Sequence, residues 1–319
     1  MLRSFLISLS KLSWAQNVIM RWGIAWRAAS RFVAGATPED AIRTVEELNK
    51  IGILATLDHL GENSVSVVDA QQATKDALLL LDLIHTKGVH TNISIKLTQI
   101  GLAIDPGLCE ENLILLCQKA QETDNFIRLD MEDSSFTTKT LDLYQKMAGR
   151  GFRKIGVVLQ AYLYRSESDI HRIASAGGRV RLCKGAYREP SDRAFPKKKD
   201  VDRNYDHLTE ILMDEAVKVG SPGIGADGKY PPIPAIASHD PLRISHAIEY
   251  ANKINLPAHS MEFQMLYGIR RDLQRQLVQE GYIVRVYVPY GTHWYPYFMR
   301  RLAERPANLW FFLSNSLKK

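Results

Sequence analysis

The sequence predicts an α/β protein built as a (βα)8 TIM-type barrel, and three observations carry that prediction. Short β-rich runs alternate with longer helical patterns along most of the chain, the pattern of repeated βα units and a parallel sheet. Eight such runs can be placed. Each ends on a polar or ionisable residue, as expected where the carboxyl ends of barrel strands converge on one mouth. A doubly wound open sheet, which would set the same residues along a line, is the minor alternative. With 319 residues and 45% hydrophobic content, the chain can bury one large core.

Residues 1–36 read as added N-terminal helices, and 37–319 as the barrel. Near the start, Leu2, Phe5, Leu6 and Leu9 follow amphipathic spacing, and Lys11 interrupts an apolar run too short for a signal peptide. Thr37-Pro38-Glu39-Asp40 reads as a helix start: an N-cap, proline in the first turn, then early acids. Strands are expected at 53–58, 92–96, 126–130, 155–160, 180–184, 233–239, 258–262 and 282–287. Their last residues, Asp58, Lys96, Asp130, Gln160, Lys184, His239, Glu262 and Tyr287, would then ring the mouth. Residues 220–234 turn to glycine and proline and read as a loop before the sixth strand. Within them Gly223-Ile-Gly225-Ala-Asp-Gly228 matches the dinucleotide-binding fingerprint literally. No strand precedes it and Lys-Tyr-Pro-Pro follows it, so it lacks the helix N-terminus that would hold a pyrophosphate and is read as a decoy.

Net charge is +6 and the pI about 9.1. Lysines and arginines are spread among acids, which argues against nucleic acid as a partner. The densest cluster, Lys197 to Lys199, runs straight into Asp200 and Asp202 and reads as a solvated loop. Cys109, Cys117 and Cys183 show no metal-type spacing, and a scattered odd number fits a reducing compartment, so a cytoplasmic protein without structural metal is expected. No run approaches the roughly eighteen apolar residues that would span a bilayer, while peripheral contact with the inner membrane face stays open.

Tyr297, Arg300 and Glu304 fall at i, i+3 and i+7 on one helix face, with Arg301 flanking it. Adjacent guanidinium forks beside aromatic walls suit an amino-acid carboxylate with an apolar ring or chain; a solvated basic helix is the plainer alternative. Arg181-Leu-Cys-Lys184-Gly185-Ala186-Tyr187 ends a strand in two cations and a glycine, allowing close backbone approach to a flat or phosphorylated ligand or a locally paired buried strand. Leu129-Asp130-Met131-Glu132-Asp133 offers carboxylates with no neighbouring His or Cys, so an ion pair with Lys96 or Arg181 is preferred over a metal. His59 and His239 read as hydrogen-bonding scaffold. Because Lys96 and Lys184 both end strands, a Schiff-base aldolase is the competing barrel enzyme, though it gives the arginine pair no task.

Seven segments taken in order carry a family resemblance: Ser94-Ile-Lys96-Leu, Arg128-Leu-Asp130-Met-Glu-Asp-Ser, Leu159-Gln160-Ala-Tyr-Leu, Arg181 to Tyr187, Ala237-Ser-His239-Asp, Glu262-Phe-Gln-Met-Leu266-Tyr-Gly and the helix from Tyr297 to Glu304. From about Ala55 through Asn308 the chain resembles the monofunctional bacterial proline dehydrogenases. The resemblance implies a distorted (βα)8 barrel with extra N-terminal helices that binds FAD non-covalently. It would oxidise L-proline to Δ1-pyrroline-5-carboxylate, pass the electrons to a membrane quinone, and hand its product to a separate pyrroline-5-carboxylate dehydrogenase.

Carried over by motif, Arg300 and Arg301 would bind the proline carboxylate with Lys96 beside it, and Leu266, Tyr287 and Tyr297 would wall the ring. Met131, Gln160, Arg181, Lys184, Gly185, Ala186, Tyr187, Ala237, Ser238 and His239 would contact the flavin. Asp130 and Arg181 would be the catalytic pair, Asp130 joining Lys96 or Arg181, and Glu304 would steady the helix. Cys183 and Ser238 stand where the family suggests another small residue, and His293 falls at a variable position. Oligomeric state and the group that takes the amine proton are not legible.

Overall fold

The expected helix start at Thr37 is present as a reciprocal cap. The Asp40 amide donates to Thr37 Oγ1 at 3.2 Å, and the Thr37 amide to Asp40 Oδ2 at 3.1 Å, satisfying amides that a helix N-terminus otherwise leaves unpaired. The computed structural model describes residues 23–61 and 64–304, so the expected amphipathic segment at Leu2 to Leu9 lies outside the described residues. Helices α1 (Gly23–Ala29) and α2 (Pro38–Asn49) precede the first strand. The alternation then runs β1 (Leu54–His59), α3 (Val67–Lys87), β2 (Thr91–Ile95), α4 (Pro106–Glu122), β3 (Ile127–Leu129), α5 (Ser134–Gly149), β4 (Ile155–Gln160) and α6 (Ser166–Ala174). It continues with β5 (Arg179–Cys183), α7 (Lys198–Lys218), β6 (Pro234–Ala237), α8 (Pro241–Lys253), β7 (Glu262–Leu266), α9 (Arg271–Gln279), β8 (Ile283–Tyr290) and α10 (Trp294–Glu304).

Each strand pairs in parallel with the next and β8 pairs with β1, so the sheet closes into a barrel and the open-sheet alternative is excluded. Leu57, Ile93, Ile127, Val157, Leu182 and Val286 are fully buried or nearly so in the main core between sheet and helices. The residues alternating with them must therefore point into the barrel. In this chain most of those interior positions are polar rather than the usual branched aliphatics, Val158 being an exception. Arg181 of β5 reaches Ser94 of β2 and Gln264 of β7, a span that is possible only through the interior. Room for a second interior arginine comes from Gly156 on β4. A Cβ there would sit 2.5 Å from the Arg179 carbonyl oxygen and 2.8 Å from Arg128 Nη1.

Three expectations are corrected. The apolar run at 258–262 is not a strand: Ala258–Ser260 forms a 3₁₀ turn, pinned by the Ser260 hydroxyl donating to the Ser221 carbonyl, and β7 begins only at Glu262. Glu262 therefore sits at the amino end of the barrel, not at its mouth. Its carboxylate meets Arg285 at 3.1 Å, with both residues at most 1% exposed. Lys198 and Lys199 belong to the first turn of α7 instead of a loop, with Lys198 paired to Asp202. The glycine-rich decoy closes the amino end of the barrel. Arg285 Nη2 donates to the Gly228 carbonyl at 2.6 Å, and Asn92 Nδ2 to that of Lys229 at 2.8 Å.

Candidate active site

The carboxyl ends of β1, β2, β3, β5 and β8 bring together one hydrogen-bonded charge cluster. Asp130 follows β3, its amide donating to the Ile95 carbonyl at 2.8 Å, which fixes the carboxylate at the mouth. Oδ1 accepts from Arg181 Nη1 at 2.9 Å, and Oδ2 accepts from the Tyr287 hydroxyl at 2.7 Å and lies 3.3 Å from Lys96 Nζ. Lys96 also donates to Asp58 Oδ1 at 2.8 Å and to the Tyr287 oxygen at 3.4 Å. Arg181 is held on three sides, by Asp130, by Ser94 Oγ at 3.1 Å and by Gln264 Oε1 at 2.5 Å, and its guanidinium lies 5.3 Å from the Tyr287 ring centre. Gln264 in turn donates to Glu262, so one polar chain runs from the amino end of the barrel to its mouth.

This arrangement fixes the protonation states. Burial opposes the charge on Lys96, but Asp58 and Asp130 outweigh it and hold the pKa above the ordinary lysine value. Burial likewise raises Asp130, yet Lys96, Arg181 and the Tyr287 hydroxyl more than compensate and leave it below the usual carboxylate value. Burial, reinforced by Asp130, lifts Tyr287 well above a free phenol, so it remains a donor. A Schiff-base mechanism requires a neutral amine. Lys96 is held cationic, and Lys184 lies between Asp202 at 2.5 Å and Asp240 at 2.9 Å. The aldolase alternative is not favoured.

Other expected site residues are placed as follows. Gln160 Nε2 donates to the Glu132 carbonyl at 2.8 Å, and its Oε1 accepts from the Ala186 amide at 3.4 Å. Lys184 does not join the ring at the mouth: one residue beyond the inward-facing Arg181 and Cys183, it turns toward α7 and the cap of α8. Gly185, at φ 120°, is required by the protein itself, since a Cβ would stand 2.5 Å from the Tyr162 ring. Ala186 and Tyr187 are exposed, whereas Met131 is 6% exposed with its side chain in the main core. Ser238 Oγ accepts from the Asp240 amide at 3.1 Å, Ala237 ends β6 half-buried, and His239 Nε2 accepts from the Leu266 amide at 2.8 Å. His239 thus acts as scaffold, as does His59, whose ring stacks 5.0 Å from that of Tyr290.

Helix α10 follows the carboxyl end of β8. Tyr297 and Leu302 are buried with Trp294 and Phe298 against α1, where Trp26 meets Trp294 at 5.5 Å, and Leu266 packs on the same cluster. The Arg301 guanidinium lies 5.1 Å from the Tyr297 ring centre. Arg300 is exposed. Although the Tyr187 ring is partly open to solvent, desolvation of its phenol, then Glu132, lifts its pKa to about 12. The Glu304 side chain lies outside the described residues. Sequence reasoning missed Ser94, Gln264 and Arg285, although polar residues at every second strand position were the available signal.

A closed barrel whose mouth carries fixed, desolvated opposite charges is the site of a TIM-barrel enzyme acting on a small charged substrate. The family profile described as proline dehydrogenase matches residues 41–313, and the chain belongs to the proline dehydrogenase family. It is 40% identical over 291 residues to "Proline dehydrogenase 1" of Bacillus subtilis (strain 168), covering 91% of both chains. It is 39% identical over 297 residues to "Proline dehydrogenase" of Deinococcus radiodurans, covering 92% of this chain and 91% of that one. Among solved structures it superposes on proline utilization A (PutA) from Bdellovibrio bacteriovorus inactivated by N-propargylglycine, with a TM-score of 0.80 and 25% identity over 89% of this chain. It spans 33% of that longer chain.

Proposed function

We propose that the chain oxidises L-proline to Δ1-pyrroline-5-carboxylate with a non-covalently bound FAD and delivers the electrons to a quinone. The observation that carries this reading is the cluster of Lys96, Asp130, Arg181 and Tyr287 at the mouth, set beside the arginine-bearing helix of a chain in this family. Arg300 and Arg301 bind the carboxylate, and Lys96, held cationic, adds a third positive charge. Leu266, Tyr287 and Tyr297 wall the pyrrolidine ring. The imine forms between nitrogen and its other ring neighbour, the carbon across nitrogen from the one bearing the carboxylate, so the clamp must hold one side of the substrate and present the other. Asp130 positions Lys96 and Arg181 rather than acting as a base, because its depressed pKa makes it a weak proton acceptor and both its oxygens already accept hydrogen bonds.

The residues at the ends of β4 to β6 fit a flavin. Gln160 supplies a fixed amide, Arg181 a cation, and Gly185 and Ala186 bring backbone with little bulk to the surface. A bound FAD supplies the two-electron acceptor. Arg181 favours negative charge beside it. Lys184, matched by two aspartates, steadies the loop with Ala237, Ser238 and His239 behind it, and Met131 contributes through its backbone. Glu304 is assigned to support of the helix.

No helix among the described residues is long and apolar enough to cross a membrane; we place the protein in the cytoplasm, reaching quinone by peripheral contact and releasing its product to a separate dehydrogenase. The test is turnover of L-proline with the imine product trapped chemically. A soluble quinone analogue should support rates far above those with NAD or NADP, and comparable rates with NAD would contradict the assignment.

A further inference from the structure

We propose that Gln264 is a positioning residue for Arg181, fixing the plane of the guanidinium that a flavin at the mouth would meet; the inference rests on the function proposed above. Gln264 and Glu262 are alternate residues of β7 and both are buried, so their side chains share the barrel interior.

An amide has two orientations of nearly the same shape, and only one of them offers Arg181 an acceptor. Glu262 selects it. Its carboxylate is held by Arg285 at 3.1 Å and presents acceptors alone, so Gln264 turns its NH2 group toward Glu262 and its oxygen toward Arg181. That oxygen accepts from Arg181 Nε at 2.5 Å. Arg285 is in turn tied to backbone, donating to the Ala55 carbonyl at 2.9 Å and to the Gly228 carbonyl at 2.6 Å. The orientation shown to Arg181 is therefore set at the closed end of the barrel.

Arg181 needs this third contact. Asp130 and Ser94 take Nη1 and Nη2, the tips of the fork, and Asp130 is shared with Lys96 and Tyr287. Two contacts at the tips leave the plane free to swing about the line between them, and a contact at Nε closes the triangle. The plainer reading is polar filler for a barrel interior. A filler would be satisfied by a Gln264 bonded to Glu262 alone, which gives no reason for the bond to Nε.

The experiment compares flavin-reconstituted wild type, Gln264→Met and Gln264→Glu. It reads proline kinetics per bound flavin, the reduced-to-oxidised flavin ratio against a redox dye during chemical reduction, and thermal unfolding. Gln264→Met nearly keeps the volume and loses the acceptor. Its kcat should fall about tenfold, and so should its reduced-to-oxidised ratio at a dye-fixed potential. The KM for proline should be unchanged, because the carboxylate clamp lies on another element. Gln264→Glu keeps an acceptor for Nε but brings a negative charge to Arg181, so it should retain the KM and also lower the ratio. If Gln264→Met fails to fold, Gln264→Glu decides alone. Ratios equal to wild type in the folded variants, or a loss carried by KM alone, would overturn the proposal; a lower unfolding temperature with ratio and kcat unchanged would overturn it in favour of a filler. The dye ratio needs no proline, so wild type that takes up flavin without being reduced by proline would count against the assigned reaction and not against the role of Gln264.

Discussion

Asp130→Ala is expected to cost about 3–5 kcal/mol of stability, because it leaves the Lys96 and Arg181 cations desolvated without their shared partner. It should also abolish measurable proline turnover. Asp130 is itself 9% exposed and accepts from Arg181, Tyr287 and Lys96 at once, so no neighbouring carboxylate can replace it for Arg181. Asp130→Asn should fall between, keeping an acceptor but losing the charge. The pH dependence has a definite sign. Since the folded pKa of Asp130 is depressed, its contribution is complete above the unfolded value of roughly 3.9 and is lost as pH falls through the lower folded value. The stability gap between wild type and Asp130→Asn, measured by denaturant unfolding, should therefore be flat from neutral pH down to about 4 and close below it. A gap that closes between pH 6 and 8 would show that the carboxylate is not the ionised hub.

The second large effect belongs to the helix that follows β8. Arg301→Met removes one charge-assisted fork, a contact worth roughly 1.5–3 kcal/mol, and each 1.4 kcal/mol is about tenfold in affinity. Apparent proline affinity should fall roughly ten- to a hundred-fold while flavin content is unchanged. Arg300→Met should behave alike. Lysine at either position should rescue only in part, since a point charge cannot reproduce a bidentate fork. A proline titration of flavin bleaching in the four variants is the measurement. If neither methionine variant alters affinity, the helix is a solvated basic surface and no clamp.

Strand count and fold class were legible because short β-rich runs alternate with longer helical patterns and each run ends on a polar residue. Alternation inside the runs held more than was read from it. Ser94-x-Lys96, Arg128-x-Asp130, Arg179-x-Arg181, Glu262-x-Gln264 and Arg285-x-Tyr287 place polar side chains at every second position. In a parallel barrel the outer face is covered by helices, so a polar face can only point inward. That rule would have found Glu262 and Arg285 as a buried pair.

The seventh strand was placed at 258–262, four residues too early, because Pro257 and the bond from Ser260 to Ser221 make Ala258–Ser260 a turn and the strand begins only at Glu262. Lys184 was misplaced by a single step of side-chain direction. The need for Gly185 arises from Tyr162, a contact between loops that spacing does not reveal. The stacking of Arg301 on Tyr297, by contrast, follows directly from their i, i+4 separation.

The account stands most directly on one spectrum. Purified protein, reconstituted with excess FAD if needed and freed of unbound cofactor, should be yellow. Anaerobic addition of L-proline should bleach the visible flavin band in proportion to bound flavin. Protein that stays colourless after incubation with FAD, or stays yellow in saturating L-proline, would contradict the assignment of this barrel as a flavin-dependent proline oxidising enzyme.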